Sequence, residues 1–428
     1  MKIKKYKELI LLIFLSLIIN FSTINTYPVL DRDESRFAQA TKQMLETENY
    51  RSIKFQEELR SKKPIGIYWL QAITVKILSY DLKNINDDHI NDDHQEKYNK
   101  IWKYRLVSSF FSLFSCLGIF LLASKIFCKN TAFFSAVSLN CTMLFIIESH
   151  IAKTDSVLLT LSIFCMLILC GYYKGIFKKK YDRNFFILWI SVGFSILVKG
   201  PVLLLMILLT VSFIIIVKKE ANWFLKTNPF IGLVLVAIII IPWFLSIPTI
   251  EQTSLFNEGL KKDFVDKILG VQEKHGAFFG AHTIASLFLL FPMSLFLIPS
   301  ISNAIKNINS KENFFLISWL IPNLFFLELI PTKLPHYTLP MYPVLAIFIG
   351  KYILVKEVTN TNNLLKPLLI INSLIYLLFT TLLIYLIYES LKKYSSSFEL
   401  EPYICIFLVI ISCISVIIFL NNNKKKVS

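Results

Sequence analysis

The chain has 428 residues, of which 55% are hydrophobic and 17% charged, and its formal net charge is +16. This composition is too apolar and too weakly charged for the surface of a soluble domain, so a soluble enzyme, a disordered chain and a disulfide-stapled secreted module are excluded. Most Lys and Arg residues lie in short loops beside apolar blocks. There they indicate membrane topology and contact with anionic membrane lipids, and no nucleic-acid partner.

The apolar blocks are roughly 20 residues long, the length that crosses a bilayer core, and they predict an all-α polytopic membrane protein. We expect about 12 transmembrane helices, near 9–26, 104–127, 131–147, 156–173, 185–198, 202–217, 229–247, 278–300, 314–330, 338–355, 367–388 and 402–420. The first follows a basic N-terminus and lacks a small-residue cleavage site, which favours an uncleaved anchor over a signal peptide.

The charges of the connecting loops predict how these helices are oriented. Short connections on one side carry 22 Lys and Arg residues, and those on the other side carry 5. Because positive loops stay in the cytoplasm, both termini are predicted to be cytoplasmic. The long loops 27–103 and 248–276 then face outwards, which is the periplasm in a cell with two membranes.

The first external loop begins with a run of charged residues that contains Asp33. Charges directly at a membrane exit are costly unless they are solvated or paired. Apolar residues then recur with a helical period, at Phe37, Ala40, Thr41, Met44 and Leu45. This pattern predicts an amphipathic helix in the membrane surface, and Asp33 either serves the chemistry of the site or only caps this helix.

Four further polar clusters fall on the predicted external side. Lys63 precedes Pro64 and an apolar helix, where it is either a snorkelling anchor or a phosphate ligand. Asp155 opens another apolar helix and is again either a cap or a functional carboxylate. Lys199 stands alone in a tight turn, and Lys333 lies in a turn stiffened by prolines.

Taken together, the external turns bring carboxylates and cations that could converge on one cavity. Cations suit a phosphate, and carboxylates suit a sugar hydroxyl or amine. The insertion at 81–99 contains two copies of Asn-Asp-Asp-His, at 86–89 and 91–94. We interpret it as a solvated polar insertion in preference to a metal site.

Five motifs in this chain occur in the same order as in one family, which the chain therefore resembles. They are Asp33-Glu34-Ser35-Arg36-Phe37, Lys63-Pro64 with Tyr68-Trp69, Lys153-Thr154-Asp155, Lys199-Gly200-Pro201 and Lys333-Leu334-Pro335-His336-Tyr337. This family is the membrane glycosyltransferase family of protein O-mannosyltransferases and lipid A aminoarabinose transferases, and the chain is closer to the bacterial aminoarabinose transferase-like branch. The resemblance implies the C-type glycosyltransferase fold over 1–355, with interfacial helices in the first external loop. It gives no motif to 356–428, which we interpret as further helices and a basic tail.

The resemblance also implies a lipid-linked sugar donor and the roles of individual residues. The catalytic residues would be Asp33, the key acidic residue at the reaction centre, and Asp155, a second carboxylate in the cavity. Lys63, Lys199 and Lys333 would contact the donor phosphate. The other substrate-binding residues would be Glu34, Arg36, Tyr68, His336 and Tyr337.

Two positions depart from the family pattern around Lys63. The family often has an acidic residue before the Lys-Pro pair and a proline after it, where this chain has Lys62 and Ile65. Some members bind a metal through that acidic residue and loop histidines. Glu273 and His275 could still be ligands, but two side chains do not make a metal site, and the sequence requires no cofactor.

The expected function is transfer of a sugar from a polyprenyl phosphate to lipid A or another lipopolysaccharide component. Nucleotide sugars are too charged to cross a bilayer, so a transferase that faces outwards needs a donor already carried across on a lipid. Transfer to protein hydroxyls is an alternative within the same family. A lipid or solute transporter is the alternative from another class, but charges in the middle of the spans are nearly absent and no internal repeat is evident.

Overall fold

The computed structural model describes residues 2–29, 31–80, 98–178, 181–266, 270, 276–355 and 365–394, with a few more between 403 and 414. These residues form helices joined by short turns. The described strands are Lys54–Phe55 and Glu58–Leu59, which pair as a small antiparallel hairpin. Most of the predicted span at 402–420, most of the insertion at 81–99, and Glu273 and His275 lie outside the described residues.

We number the α-helices of the described residues α1 to α17 in chain order. They are α1 Lys2–Phe21, α2 Arg32–Glu46, α3 Gly66–Tyr80, α4 Ile101–Ile126, α5 Lys129–Asn140, α6 Met143–Ser149, α7 Asp155–Lys174, α8 Arg183–Lys199, α9 Val202–Lys218, α10 Asn222–Leu225, α11 Pro229–Ser246, α12 Thr249–Ser254, α13 Ala281–Leu289, α14 Leu297–Lys306, α15 Lys311–Leu329, α16 Tyr342–Ile353 and α17 Leu365–Tyr394. A π-helical segment spans Leu255–Val265, and 3-10 turns span Met293–Phe296 and Pro335–Met341.

Five described helices are long and apolar enough to cross a membrane, namely α4, α7, α11, the Pro367–Glu389 part of α17, and α15. A sixth span arises if α5 and α6 count as one. The chain is therefore a multi-pass α-helical membrane protein, while the total of twelve spans stays a prediction.

Two predicted spans are not straight helices. The span at 131–147 bends by 68° between α5 and α6. There the Met143 N–H leaves the helical pattern and donates to the Phe291 carbonyl at 2.9 Å. The span at 278–300 is divided among α13, a 3-10 turn and α14, because Pro292 has no N–H to continue a helix. Hydropathy measures the length of an apolar block, and it does not register such interruptions.

The core of the bundle is built around α7, whose apolar stretch is 94% buried inside the protein. It packs most extensively against α4, and α5 packs against both α4 and α16. The contact of α5 with α16 needs Gly350, because a Cβ at that position would lie 2.6 Å from the Ser135 backbone nitrogen. Buried helices of this kind give the turns at their ends a fixed position.

The amphipathic helix predicted after Asp33 is α2. Its buried residues are Glu34 together with all five residues of the predicted apolar face, Phe37, Ala40, Thr41, Met44 and Leu45. That face is covered by protein: α2 packs on α3, and the Phe37 and Tyr68 ring centroids are 5.6 Å apart. Helical periodicity therefore identified the buried face, and tertiary structure decided what covers it.

The start of α3 is pressed against the end of α8. A Cβ on Gly66 would lie 2.8 Å from the Leu197 carbonyl oxygen, so only glycine permits this approach. The contact sets the turn that carries Lys62 and Lys63 beside Lys199, although these residues are far apart in the sequence.

Candidate active site

A cavity of about 650 Å³ lies where the ends of several helices meet. Its walls come from the start of α2, the turns before α3 and α7, the end of α8 and the turn after α15. The charged and histidine side chains that line it are Asp31, Arg32, Asp33, Arg36, Arg60, Lys62, Lys63, Glu148, Lys153, Asp155, Lys199 and His336. The predicted convergence of carboxylates and cations is thus present in the structure.

Asp33 lies in the first turn of α2 and reaches the cavity. The N-cap is Asp31, whose Oδ1 accepts hydrogen bonds from the backbone N–H groups of Asp33 and Glu34 at 2.8 and 3.0 Å. The alternative that Asp33 caps the helix is therefore wrong. The Asp33 side chain is 51% exposed and lies 3.7 Å from Arg36, which also lines the cavity. Asp33 is a carboxylate that is accessible from the cavity and from solvent.

Glu34 occupies a different environment from Asp33. Its carboxylate is 1% exposed and accepts two hydrogen bonds from Arg105, at 2.7 and 3.0 Å. It also accepts one from the Ala152 N–H at 3.0 Å. The prediction of a substrate-binding role for Glu34 is at odds with this burial, because these donors already occupy its oxygens. Glu34 ties α2 to the turn before α7.

Arg105 was missed as a functional position by sequence reasoning. Its NH1 donates to the Ile24 and Tyr27 carbonyls at 2.8 and 2.9 Å, and its NH2 donates to the Pro28 carbonyl at 3.1 Å. Arg105 therefore holds the chain segment that leads into α2. An arginine within an apolar block was the available signal, since such a charge needs a buried partner.

Asp155 and Lys199 form an ion pair, with a hydrogen bond from Nζ to Oδ1, in the wall of the cavity. Lys199 ends α8, and Gly200 follows it with φ +71°, which reverses the chain. Asp155 is the first residue of α7, while Thr154 occupies the N-cap position. The interpretation of Asp155 as an N-cap is therefore wrong, and its partner is a side chain from another turn.

Lys153 forms a second ion pair in the same wall. Its Nζ donates to Asp31 Oδ2 at 3.1 Å and lies 3.8 Å from Glu148 Oε1. Burial lowers the pKa of Lys153, but the carboxylates of Glu148, Asp155 and Asp31 outweigh it and raise that pKa. Burial likewise raises the pKa of Asp31, and Lys153 together with the α2 backbone N–H groups outweighs it. Both groups are charged at neutral pH.

A smaller cavity of about 150 Å³ adjoins the first and shares Lys62, Lys63, Lys199, His336 and Tyr337 with it. Most of its remaining lining is apolar: Pro64, Leu158, Pro201, Val202, Leu205, Leu255, Phe326, Leu327, Ile330 and Pro340, besides Gly200 and Gly259. Gly259 lets the π-helical segment approach closely, since a Cβ there would lie 2.8 Å from the Ser61 carbonyl oxygen. The shared side chains form a basic boundary between a polar chamber and an apolar one.

His336 lies in this boundary and is partly buried. Burial, together with the charges of Lys199, Lys153 and Lys63, lowers its pKa to about 3 against the opposing effect of Asp155. The imidazole is therefore neutral at physiological pH and can both donate and accept a hydrogen bond. The Tyr337 ring lies beside it, with its centroid 5.8 Å from Lys199 Nζ.

Lys333 and Tyr68 are two predicted substrate-binding residues that the structure places outside both cavity linings. Lys333 Nζ donates to the Leu327 and Glu328 carbonyls at 3.0 and 2.6 Å and lies 3.4 Å from Glu328 Oε2. Tyr68 is fully buried, and its hydroxyl accepts a hydrogen bond from Arg60 Nε at 3.1 Å. Lys333 thus fastens its turn to the end of α15. Tyr68 lies outside the cavity and positions Arg60, which lines it.

The two possible metal ligands named from the sequence, Glu273 and His275, lie outside the described residues. Within the part of the chain that the structure describes, no group of three or more His, Cys, Asp or Glu residues could hold a metal ion.

Comparison with known proteins adds an independent line of evidence. Residues 97–245 match the family model for dolichyl-phosphate-mannose-protein mannosyltransferase. The undecaprenyl phosphate-alpha-4-amino-4-deoxy-L-arabinose arabinosyl transferase of Wigglesworthia glossinidia brevipalpis is 28% identical, over 96% of this chain and 70% of that protein. The chain is thus similar to C-type glycosyltransferases of the aminoarabinose transferase-like kind. The resemblance that the sequence motifs indicated is supported by these matches.

Solved structures agree on the fold. ArnT from Cupriavidus metallidurans, in a crystal structure bound to undecaprenyl phosphate, aligns with a TM-score of 0.67 at 16% identity, over 81% of this chain and 60% of that one. The archaeal oligosaccharyltransferase AglB from Archaeoglobus fulgidus aligns with a TM-score of 0.55 at 12% identity, over 99% of this chain and 56% of that one. The chain thus spans about 60% of the length of these structures.

Proposed function

We propose that this protein transfers a sugar from a polyprenyl-phosphate donor to an acceptor on the periplasmic side of the bacterial inner membrane. The acceptor is lipid A or another lipopolysaccharide component. The observation that carries the proposal is the basic boundary between a polar and an apolar cavity. A lipid phosphate that bears a sugar has the same three parts in the same order, an apolar chain, an anionic phosphate and a polar sugar.

Each part of the donor has a complementary region. The apolar cavity takes the first isoprene units, because the side chains there offer contact without hydrogen bonds. Lys62, Lys63 and Lys199 carry positive charge where the phosphate would lie, and charge-assisted hydrogen bonds to phosphate are strong. The polar cavity then receives the sugar next to Asp33. The name of the Wigglesworthia relative supports 4-amino-4-deoxy-arabinose as that sugar.

The reaction follows from this placement. An acceptor oxygen attacks the anomeric carbon, and the bond from that carbon to the phosphate oxygen breaks. The lysines stabilise the polyprenyl phosphate as it leaves, since its charge grows in the transition state. With a hydroxyl acceptor, the Asp33 carboxylate accepts the proton. With a phosphate acceptor no base is needed, and Asp33 stabilises the positive charge that develops on the sugar. Attack from the face opposite the leaving group inverts the anomeric configuration.

The orientation in the membrane belongs to the proposal, with both termini in the cytoplasm. Alkaline phosphatase fused after Gly200 should be active in cells, because this turn would lie in the periplasm. A matched fusion after Lys226 should be inactive. Activity in the reverse pattern would refute the orientation and, with it, the need for a lipid-linked donor.

Mass spectrometry of lipid A and core oligosaccharide tests the function. A deletion strain should lack one sugar increment that its parent carries, and the wild-type gene should restore it. Asp33→Asn should not restore it, whereas Asp182→Asn, which changes the N-cap of α8 remote from the cavity, should. An unchanged lipopolysaccharide together with a lost glycan on a secreted protein would instead favour the protein O-glycosyltransferase alternative, which the family model's name makes worth testing.

A further inference from the structure

Glu148 is a buried carboxylate that the predicted site does not use. It lies near the end of the short helix α6, lines the larger cavity, and is 4% exposed. Its Oε1 lies 3.8 Å from Lys153 Nζ, while Oε2 accepts no hydrogen bond from any described residue. A buried carboxylate oxygen without a donor is costly, so this atom is suited to accept a hydrogen bond from a bound molecule.

The charges around Glu148 do not balance. Lys153 is closer to Asp31, at 3.1 Å, than to Glu148, and Asp155 has its own partner in Lys199. The charged groups that act most strongly on Glu148 are Asp155, Lys153, Lys199 and Asp31. The two lysines are thus already paired with the two aspartates, and no counter-charge is left for an ionised Glu148. Burial and the charge of Asp155 accordingly raise the pKa of Glu148. A ligand that brings a positive charge and hydrogen-bond donors would supply the counter-charge and stabilise the ionised carboxylate.

The position of Glu148 matches the sugar end of the proposed donor. Lys63 and Lys199 line both cavities, while Glu148 lines only the larger one. A donor with its lipid chain in the apolar cavity and its phosphate at the shared lysines directs its sugar into the chamber that contains Glu148. Asp155 is hydrogen-bonded to Lys199 and is one of the charges that act most strongly on Glu148, so it lies between the phosphate end and the sugar end of this arrangement.

We propose that Glu148 binds the ammonium group of an amino sugar on the lipid-linked donor and sets the preference for amino sugars over neutral ones. The inference rests on the proposed function and adds a specificity residue to it. An ammonium supplies both the missing hydrogen-bond donor and the missing positive charge. A hydroxyl at the same ring position supplies only the hydrogen bond.

The test compares two donors that differ at one group, undecaprenyl phosphate-linked 4-amino-4-deoxy-arabinose and undecaprenyl phosphate-linked arabinose. The dissociation constants of both are measured for the purified full-length protein in lipid nanodiscs, without acceptor. Wild type should prefer the amino sugar, and Glu148→Gln should weaken its binding by roughly 10- to 100-fold, the value of a charge-assisted hydrogen bond. Arabinose-donor binding should change by less than about threefold.

Two variants serve as controls. Glu312→Gln removes a carboxylate that pairs with Lys174 at 3.6 Å at the other end of α7, and should leave both dissociation constants unchanged. Glu148→Asp keeps the charge and should keep part of the preference. Equal weakening of both donors by Glu148→Gln would show a merely structural role and overturn the proposal, as would no change in either.

The same measurement separates the two proposals. If wild type binds the amino-sugar donor but transfers its sugar to no lipid acceptor, the proposed function fails. The dissociation constants then still test whether Glu148 binds the amino group. If wild type binds neither donor, or binds arabinose more tightly, the assignment of Glu148 fails whatever reaction the protein performs.

Discussion

Two lysines in neighbouring turns differ in their surroundings: one lines the cavities, and the other is bonded within the fold. Lys199 is the last residue of α8 and Lys333 follows α15. Both were predicted to bind the donor phosphate, and both are ion-paired. Lys199 pairs with Asp155 in the wall that two cavities share. Lys333 pairs with Glu328 and donates to two carbonyls at the end of α15. An ion pair therefore says little about function until the space beside it is known.

The same division applies to the adjacent residues Asp33 and Glu34. Asp33 is half exposed in the cavity, and Glu34 is buried against Arg105. Consecutive residues in a helix point about 100° apart, so one carboxylate faces the cavity while the next enters the core. Substitution of a residue that lines the cavity should thus change activity, and substitution of a buried ion-paired residue outside the cavity should change stability.

The largest expected effect is on Asp33. Asp33→Asn should lower the transfer rate by roughly 10²- to 10⁴-fold, the range for a residue that handles a proton or charge in the transition state. Its unfolding temperature should stay close to that of wild type, because the side chain is half exposed. Transfer from a lipid-linked donor by purified protein, together with thermal unfolding, checks both parts. Near-normal transfer would refute the role of Asp33.

Arg105→Met should show the opposite pattern. It leaves Glu34 buried without its partner, which costs roughly 3–5 kcal/mol in comparable buried pairs. The yield of folded protein in detergent and the unfolding temperature should both fall. The double variant Glu34→Gln with Arg105→Met should recover part of the loss, since no unpaired charge remains. Unchanged stability of the single variant would contradict the support role.

Lys199→Met and Lys333→Met sharpen the comparison of the two lysines directly. Lys199→Met leaves Asp155 without its partner and should lower stability as well, but in addition it should weaken donor binding per folded molecule by roughly 10- to 100-fold through loss of a charged contact to phosphate. Lys333→Met should lower stability by about 1–3 kcal/mol, because Glu328 loses a partner, while donor binding per folded molecule should persist. Donor titrations on material sorted by size-exclusion chromatography separate the effects. If both variants lose donor binding equally, the distinction fails.

The smallest expected effect concerns pH. Because the pKa of His336 is about 3 in the folded protein, and 6.5 is its ordinary value, the folded state favours the neutral ring. The sign follows: stability is unaffected above about pH 6.5 and is lost as the pH falls towards 3, by at most about 1.4 kcal/mol per pH unit. His336→Gln should lose less stability than wild type between pH 6.5 and 4.5 in thermal unfolding. Equal pH dependence would contradict a neutral imidazole in the folded protein.

Sequence patterns predicted the parts of the fold that depend on local chemistry. The period of apolar residues identified the buried face of α2, residue by residue, and long apolar blocks located the described spans such as α7 and α15. The same reasoning failed at 131–147, where the backbone bends by 68° inside one apolar block. Apolar content is the same in a straight helix and a broken one, so only packing could distinguish them.

The sequence by itself determined the kind of protein, its resemblance to one family, and five turns that hold charged side chains, because composition, hydropathy and ordered motifs are local properties of the chain. Tertiary structure decided which of those side chains meet. It placed Asp33, Lys63, Asp155, Lys199 and His336 around one cavity and turned Glu34, Tyr68 and Lys333 away. It also added Asp31, Glu148 and Lys153 to that cavity. The reason is that a side chain's neighbours depend on contacts between distant segments, such as the close approach of Gly66 to Leu197, which no local pattern encodes.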